Sequence, residues 1–204
     1  MLLRSTILVA FALLNCAGAQ AQWPPEDAAT ELPLLPPSEG DVEIRVWLGG
    51  GVTQPSELYR VKKAGQTVEV EAISWAPVVH AVKDVYTERQ AHRETRKLRQ
   101  FMEKYGTGCK VTQTTHFLWC KLPVNAQGAW SVLFDDLMPD ELWALPTELM
   151  RNCGWVQDDG EIVRIDILSG DRLHSVSYGN PDFCCHDVPC AIADHVRRVV
   201  RNIK

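Results

Sequence analysis

The sequence predicts an α+β fold in which antiparallel β-hairpins form the sheet and three main helices pack on one face. The first observation behind this prediction is period-two alternation of apolar and polar residues around turn signals, which is typical of hairpins. The second is helical periodicity over 82–105, 128–137 and 189–203. The third is cysteine content: of 7 cysteines, all but Cys16 follow the first 21 residues, which predicts a fold stapled by disulfides.

The chain opens with a pattern typical of a secretory signal peptide. One basic residue precedes an apolar run over 7–14, and small residues at A-x-A spacing end at Ala21. The run is too short to span a membrane. We therefore expect residues 1–21 to be removed and the protein to be periplasmic or secreted. Cys16 offers a minority alternative, a lipid anchor, although Asn15 stands where lipoprotein signals carry a small residue.

Composition changes after the predicted cleavage site. Residues 22–41 are rich in proline and acids without periodicity, which predicts an extended tether. Residues 42–204 are of a length and apolar content typical of one domain. The formal net charge of −5 argues against nucleic acid or an anionic membrane as the main partner, because both favour basic surfaces.

The last hairpin is the most clearly specified element. A turn at Gly170-Asp171 pairs Val163 with Tyr178 and Ile167 with His174. The resulting hairpin has one apolar and one polar face, as an antiparallel pair with a single buried side requires. A closing helix follows over 189–203.

The earlier strands follow the same logic. A strand over 42–48 precedes a hairpin with Ala64-Gly65 at its tip, which sets Val61 against Val68. A further hairpin turning at Thr114-Thr115 puts Cys109 directly opposite Cys120. Short helical stretches are expected over 125–137 and 141–145.

The six cysteines after the signal permit fifteen pairings, and the hairpin register favours Cys109–Cys120. Cys184 and Cys185 are adjacent, and a bridge between neighbours strains the peptide, so each should take a separate partner. Closing the short loop Cys185–Cys190 costs little chain entropy. Cys153 and Cys184 then remain as the third pair. Exchanging the partners of Cys184 and Cys185 remains open.

No sequence motif identifies a catalyst, a cofactor site or a metal site. Within Cys184–Cys190, export favours disulfides over zinc ligation. His174 falls on the apolar side of its hairpin, where a core imidazole is more common than a catalytic one. If the protein is an enzyme of unrecognised type, its site is expected near His174.

Three phrases resemble a family of exported Gram-negative bacterial proteins with no assigned activity. They are Trp130 onwards to Leu142-Trp143-Ala-Leu-Pro146, then Asp159-Gly160-Glu161, then Tyr178-Gly-Asn180-Pro181-Asp182. This resemblance covers the C-terminal third of the chain and implies a compact α+β fold in the envelope.

The segment Cys185-His186-Asp187-Val-Pro-Cys190 resembles the protruding loop of lysozyme inhibitors of the Ivy type, whose loop plugs an enzyme cleft. This second resemblance implies an interaction loop carrying His186 and Asp187. The function expected first is a non-catalytic envelope protein that binds another protein or a cell-wall component. The alternatives are the enzyme near His174 and the inhibitor-like protein.

Overall fold

The computed structural model describes residues 26–32, 34, 37–49, 55–78, 88–124, 130–146, 161–179 and 188–203. Over these residues the protein is a mixed helix-and-strand fold built on a seven-stranded antiparallel sheet. The predicted α+β class is thus confirmed. The predicted signal peptide over 1–21 lies outside the described residues.

The sheet contains every described strand, in the order β4-β5-β3-β2-β1-β6-β7. The strands are β1 (Val42–Gly49), β2 (Ser56–Ala64), β3 (Thr67–Pro77), β4 (Thr112–Gln113), β5 (Phe117–Leu122), β6 (Ile162–Ser169) and β7 (Arg172–Gly179). Each neighbouring pair is antiparallel.

Five helices are described in addition to the sheet. They are α1 (Glu26–Glu31), α2 (Glu88–Tyr105), α3 (Trp130–Asp136), α4 (Pro139–Ala144) and α5 (Val188–Arg201). Helices α2, α3 and α5 fall within or close to the three predicted ranges, and α4 matches the predicted helical stretch over 141–145. Only α1 has no counterpart among the predicted helices.

Strand alternation gives the sheet two faces with different partners. The first face presents residues such as Ile44, Val46 and Ile165, which share one buried cluster with Phe101 of α2 and Val196 of α5. All five side chains are at most 1% exposed. This cluster is the main core of the protein.

The second face carries a smaller cluster, in which α1 takes part. Ala28 and Leu32 are 0% and 3% exposed and pack with Trp47, Trp75 and Phe117. This part of residues 22–41 is therefore helical and packed, whereas the proline-rich composition predicted an extended tether. Leu32 directly follows α1, and its backbone N–H bonds to the Ala28 carbonyl at 3.2 Å, so the two side chains lie one turn apart. Their burial outweighs the tendency of the flanking prolines.

The predicted register of the β6–β7 hairpin is confirmed. Val163 lies opposite Tyr178 and Ile167 opposite His174. Gly170 has φ 54°, a left-handed conformation that glycine adopts without steric cost at the first position of a tight turn.

The predicted register of the β2–β3 hairpin is wrong by two residues. Val61 pairs with Val70 rather than Val68, because the two-residue turn is Gly65-Gln66 and not Ala64-Gly65. Gly65 has φ 58°, so it takes the first turn position, as Gly170 does in its own hairpin. A shift of two keeps every side chain on its face, so alternation alone could not reveal it.

The disulfide Cys109–Cys120 is confirmed, with its Cα atoms 6.0 Å apart. The predicted register around it is wrong, since Thr112 pairs with Trp119 in the β4–β5 ladder. Thr114 explains the difference: its Oγ1 accepts a hydrogen bond from the backbone N–H of Phe117 at 3.1 Å, so the turn spans 114–117.

Candidate functional site

The β6–β7 hairpin forms one end of the sheet. Within the described part of the chain, β6 is the only strand that pairs with β7. β7 is eight residues long, and its ladder with β6 runs without a bulge from Arg172 to Gly179. It therefore presents a regular outer edge, whereas the strand at the other end of the sheet, β4, has two residues.

The turn geometry identifies which backbone groups lie on this edge. In a two-residue hairpin the residues flanking the turn, Ser169 and Arg172, form a hydrogen-bonded pair. Bonded and non-bonded pairs then alternate along the strand. The N–H and C=O groups of Leu173, Ser175 and Ser177 consequently point away from β6.

The side chain of Leu173 is the apolar feature of this edge. It is 61% exposed, among the few large apolar side chains of the described residues that are exposed. Its cross-strand partner is Leu168, which is partly buried on the same second face. The two leucines together give this edge an apolar patch near the hairpin tip.

On the first face, a small aromatic cluster lies beside the edge. The Arg172 guanidinium carbon lies 4.5 Å from the ring centroid of Trp143 in α4, which is cation–π distance. The Trp143 and His174 rings are 6.0 Å apart between centroids, with 34° between their planes. Nε2 of His174 is buried and has no hydrogen-bond partner in the described structure. The cluster is able to stack on a planar or apolar group and holds one unused imidazole nitrogen.

Asp166 organises the second face of the hairpin. This residue is 5% exposed. Its carboxylate accepts hydrogen bonds from Trp47 Nε1 at 2.7 Å, Arg164 Nε at 2.7 Å and Ser175 Oγ at 2.6 Å. Three donors and an arginine charge compensate the cost of burying the carboxylate. Because Ser175 belongs to β7 and Trp47 to β1, Asp166 ties the edge strand to the sheet interior.

An ion-pair network on the same face of the sheet spans β1, β2, β3 and β5. Arg60 lies 2.8 Å from Glu43 and 2.9 Å from Glu71, and Lys121 lies 2.6 Å from Glu71. Burial alone would raise the pKa of Glu71, but hydrogen bonds from Lys121 and Arg60 outweigh burial and lower it. Burial would lower the pKa of Arg60, and its bonds to Glu43 and Glu71 raise it. These charges pair with one another and link β1, β2, β3 and β5 on the second face.

Several predicted site residues lie outside the described residues. They are Cys153, Cys184, Cys185, His186 and Asp187. The interaction loop and the pairings Cys153–Cys184 and Cys185–Cys190 therefore stay predictions. Cys190 itself lies in α5 and is 1% exposed.

Within the described residues, no three His, Cys, Asp or Glu side chains come together as a metal site. No helix in the same ranges is long and apolar enough to cross a membrane.

Sequence reasoning missed two contacts that the fold creates. Trp143 meets His174 only because α4 packs beside β7, and no spacing in the chain indicates that contact. His116 was assigned to no site, yet it contacts Glu31 of α1. The Ala28 and Leu32 spacing was the available signal for α1.

Comparison with known proteins adds no further assignment: no protein-family model, no curated protein and no solved structure matches this chain.

Proposed function

We propose that this chain is an exported envelope protein that binds another protein, without catalysis, by adding a strand of the partner to β7. The observation that carries the proposal is the regular run of β7 from Arg172 to Ser177 at the end of the described sheet, with its exposed Leu173. In strand addition, main-chain hydrogen bonds supply affinity, and side chains at alternate positions supply specificity.

Within the described residues, the β7 strand itself carries few of the sequence features that protect edges against strand addition. Natural proteins blunt edge strands with proline, lysine, bulges or very short strands. β7 has none of these, and its only formal charge is Arg172 at the tip. In this proposal the longer helices occupy one face of the sheet, so a partner strand reaches β7 from the side and covers Leu173.

Export is the second part of the proposal. It rests on the signal-peptide pattern over 1–21 and on the disulfide Cys109–Cys120, since disulfides persist in oxidising compartments. A periplasmic or secreted location places the protein among other envelope proteins, where the partner is expected.

One observation favours an enzyme as a second candidate. Nε2 of His174 is buried beside Trp143 and has no hydrogen-bond partner among the described residues, so it is the kind of polar atom that a substrate can engage. A panel of hydrolase substrates tests this candidate. Turnover that is lost in His174→Ala, with unchanged circular dichroism, would favour catalysis over binding. The inhibitor-like loop with His186 and Asp187 stays a prediction.

Affinity capture with edge variants tests strand addition. Leu173→Pro removes an outward N–H at an edge position, and Leu173→Lys adds a protective charge. Val132→Lys is the matched control, because Val132 is 56% exposed on α3, away from the edge. We expect wild type and Val132→Lys to retain the same envelope protein and both Leu173 variants to lose it.

Retention by all four proteins would contradict strand addition at β7. Circular dichroism of each variant checks that the sheet persists, so that loss of capture reports on the edge and not on unfolding.

A further inference from the structure

We propose that α1 is a releasable strap over an aromatic surface of the sheet, and that the carboxylate of Glu31 is its latch. The aromatic surface is the apolar end of the second face. It consists of the large side chains that share one buried cluster with Ala28 and Leu32: Trp47, Leu58, Ile73, Trp75 and Phe117.

The strap packs on the sheet through apolar side chains. Among its described residues, Ala28 and Leu32 are buried, and Leu34 packs partly against the same cluster. Beneath them, the rings of Trp75 and Phe117 meet edge to face with centroids 5.1 Å apart. A helix of 6 residues is not stable alone in water, so α1 keeps its form only while it is docked.

The latch joins α1 to the β4–β5 turn. Glu31 accepts hydrogen bonds from Thr114 Oγ1 and from the backbone N–H of His116, the latter at 2.9 Å, and also contacts His116 Nδ1. Burial would raise the pKa of Glu31, and bonds from Thr114 and His116 outweigh burial and lower it. Charged hydrogen bonds are the strong ones, so the ionised carboxylate holds α1 far better than its protonated form.

A second anchor lies at the other end of the segment. Asp41 forms an ion pair with Lys62 at 2.8 Å and accepts a hydrogen bond from the backbone N–H of Ser38 at 3.2 Å. This anchor immediately precedes β1 and does not involve α1. Opening the Glu31 latch therefore frees α1 while β1 stays in the sheet.

Release has a defined consequence. It uncovers the part of the aromatic surface that packs with Ala28 and Leu32, a cluster in which Trp47 and Trp75 are now 1% exposed. Large exposed apolar patches mark interaction surfaces in soluble proteins. The strap thus determines whether the second face offers such a surface, independently of the β7 edge.

Limited proteolysis and binding of a hydrophobic dye to the exported protein test the strap. Glu31→Gln keeps the shape of the latch and removes its charge. We expect the rate of cleavage within residues 32–41 and the amount of bound dye each to rise about tenfold. Losing a charged hydrogen bond shifts the equilibrium between docked and released α1 by about that factor. His116→Ala should give a smaller rise, and Glu39→Gln, an exposed glutamate of the same segment, none.

Acidification supplies the matching arm of the experiment. Among the described residues, His116 is the titratable group that contacts Glu31. Because the pKa of Glu31 is lowered, its carboxylate stabilises the docked helix at neutral pH, and this stabilisation is lost in acid. Dye binding by wild type should therefore rise as the pH falls below the ordinary glutamate value of 4.5. Dye binding by Glu31→Gln should already be high at pH 7.

Two results would overturn the inference. Cleavage and dye binding of Glu31→Gln equal to wild type would show that Glu31 is no latch. Loss of the near-ultraviolet circular dichroism of Glu31→Gln at pH 7 would show that α1 is needed for the fold and is not released from it.

Discussion

At the residue scale, buried charges on the second face hold the strands in place through specific partners. Asp166 receives three hydrogen bonds from side chains on β1, β6 and β7. Removing the carboxylate leaves the Trp47 N–H without its acceptor and Arg164 without its counter-charge, and an unpaired buried group costs more than the bond itself was worth.

Asp166→Ala should accordingly lower the free energy of unfolding by about 3 kcal/mol in urea titrations. Asp136→Ala, at an exposed aspartate of α3, should change it by less than about 0.5 kcal/mol. Equal effects of the two substitutions would mean that the Asp166 hydrogen bonds do not stabilise the sheet.

Glu71 gives the stability of the sheet a pH dependence with a definite sign. Its folded-state pKa is lowered from 4.5, so its stabilisation is complete above that value and lost as the pH falls through the folded-state pKa. Urea titrations between pH 7 and pH 3 should show Glu71→Gln less stable than wild type at pH 7, with the difference shrinking in acid. Glu69→Gln, exposed on the same strand, is the control. A difference that stays constant with pH would contradict this role of Glu71.

Individual contacts were the part of the site that the sequence predicted least. Alternation of apolar and polar residues placed His174 on the apolar side of β7, and the structure agrees. The face on which a strand residue lies follows from its position in the strand alone, so the local sequence is enough to predict it. Its neighbour Trp143 comes from α4, thirty-one positions earlier in the printed sequence. Such a contact depends on how a helix packs on the sheet, and no local pattern encodes that packing.

At the element scale, Met138 before α4 shows local strain. It has φ 55° and ψ 57°, and among the described residues it is the only non-glycine with positive φ. Left-handed backbone costs a residue with a Cβ about 1 kcal/mol or more. Its carbonyl accepts the Leu142 N–H at 2.9 Å, so the strained residue begins the helix that carries Trp143.

Met138→Gly and Met138→Ala form a matched pair, since both remove the side chain and only glycine relieves the backbone. We expect the glycine variant to be more stable than the alanine variant by about 1 kcal/mol in thermal unfolding. The reverse order would show that the left-handed conformation carries no cost in this protein.

Hairpins were predictable to different degrees for a physical reason. The predicted β6–β7 register was correct because the two-residue turn was placed at Gly170-Asp171, where glycine takes the first turn position. In β2–β3, moving the tip by one residue shifts the partners by two and leaves both faces unchanged, so only turn chemistry distinguishes the options. Helix α1 was missed because its stability comes from docking and not from local propensity.

At the scale of the whole molecule, the disulfide pattern is a prediction that one experiment can check. Cys109–Cys120 joins the end of α2 to β5. Non-reducing peptide mapping of exported protein should recover this pair, together with Cys153–Cys184 and Cys185–Cys190 or the exchanged pairs. Finding Cys109 joined to any of the last three cysteines would contradict both the structure and the prediction.

The central claim is that the outer edge of β7 is where a partner strand binds. Amide hydrogen exchange followed by nuclear magnetic resonance tests it directly, with the envelope protein that wild type captures as the added partner. The amides of Leu173, Ser175 and Ser177 point outward and should exchange fast in the unbound protein, then slow by at least about tenfold on binding. The amides of His174 and Val176 already bond to β6 and should change far less. Unchanged exchange at the three outward amides, with the partner bound, would contradict strand addition at β7.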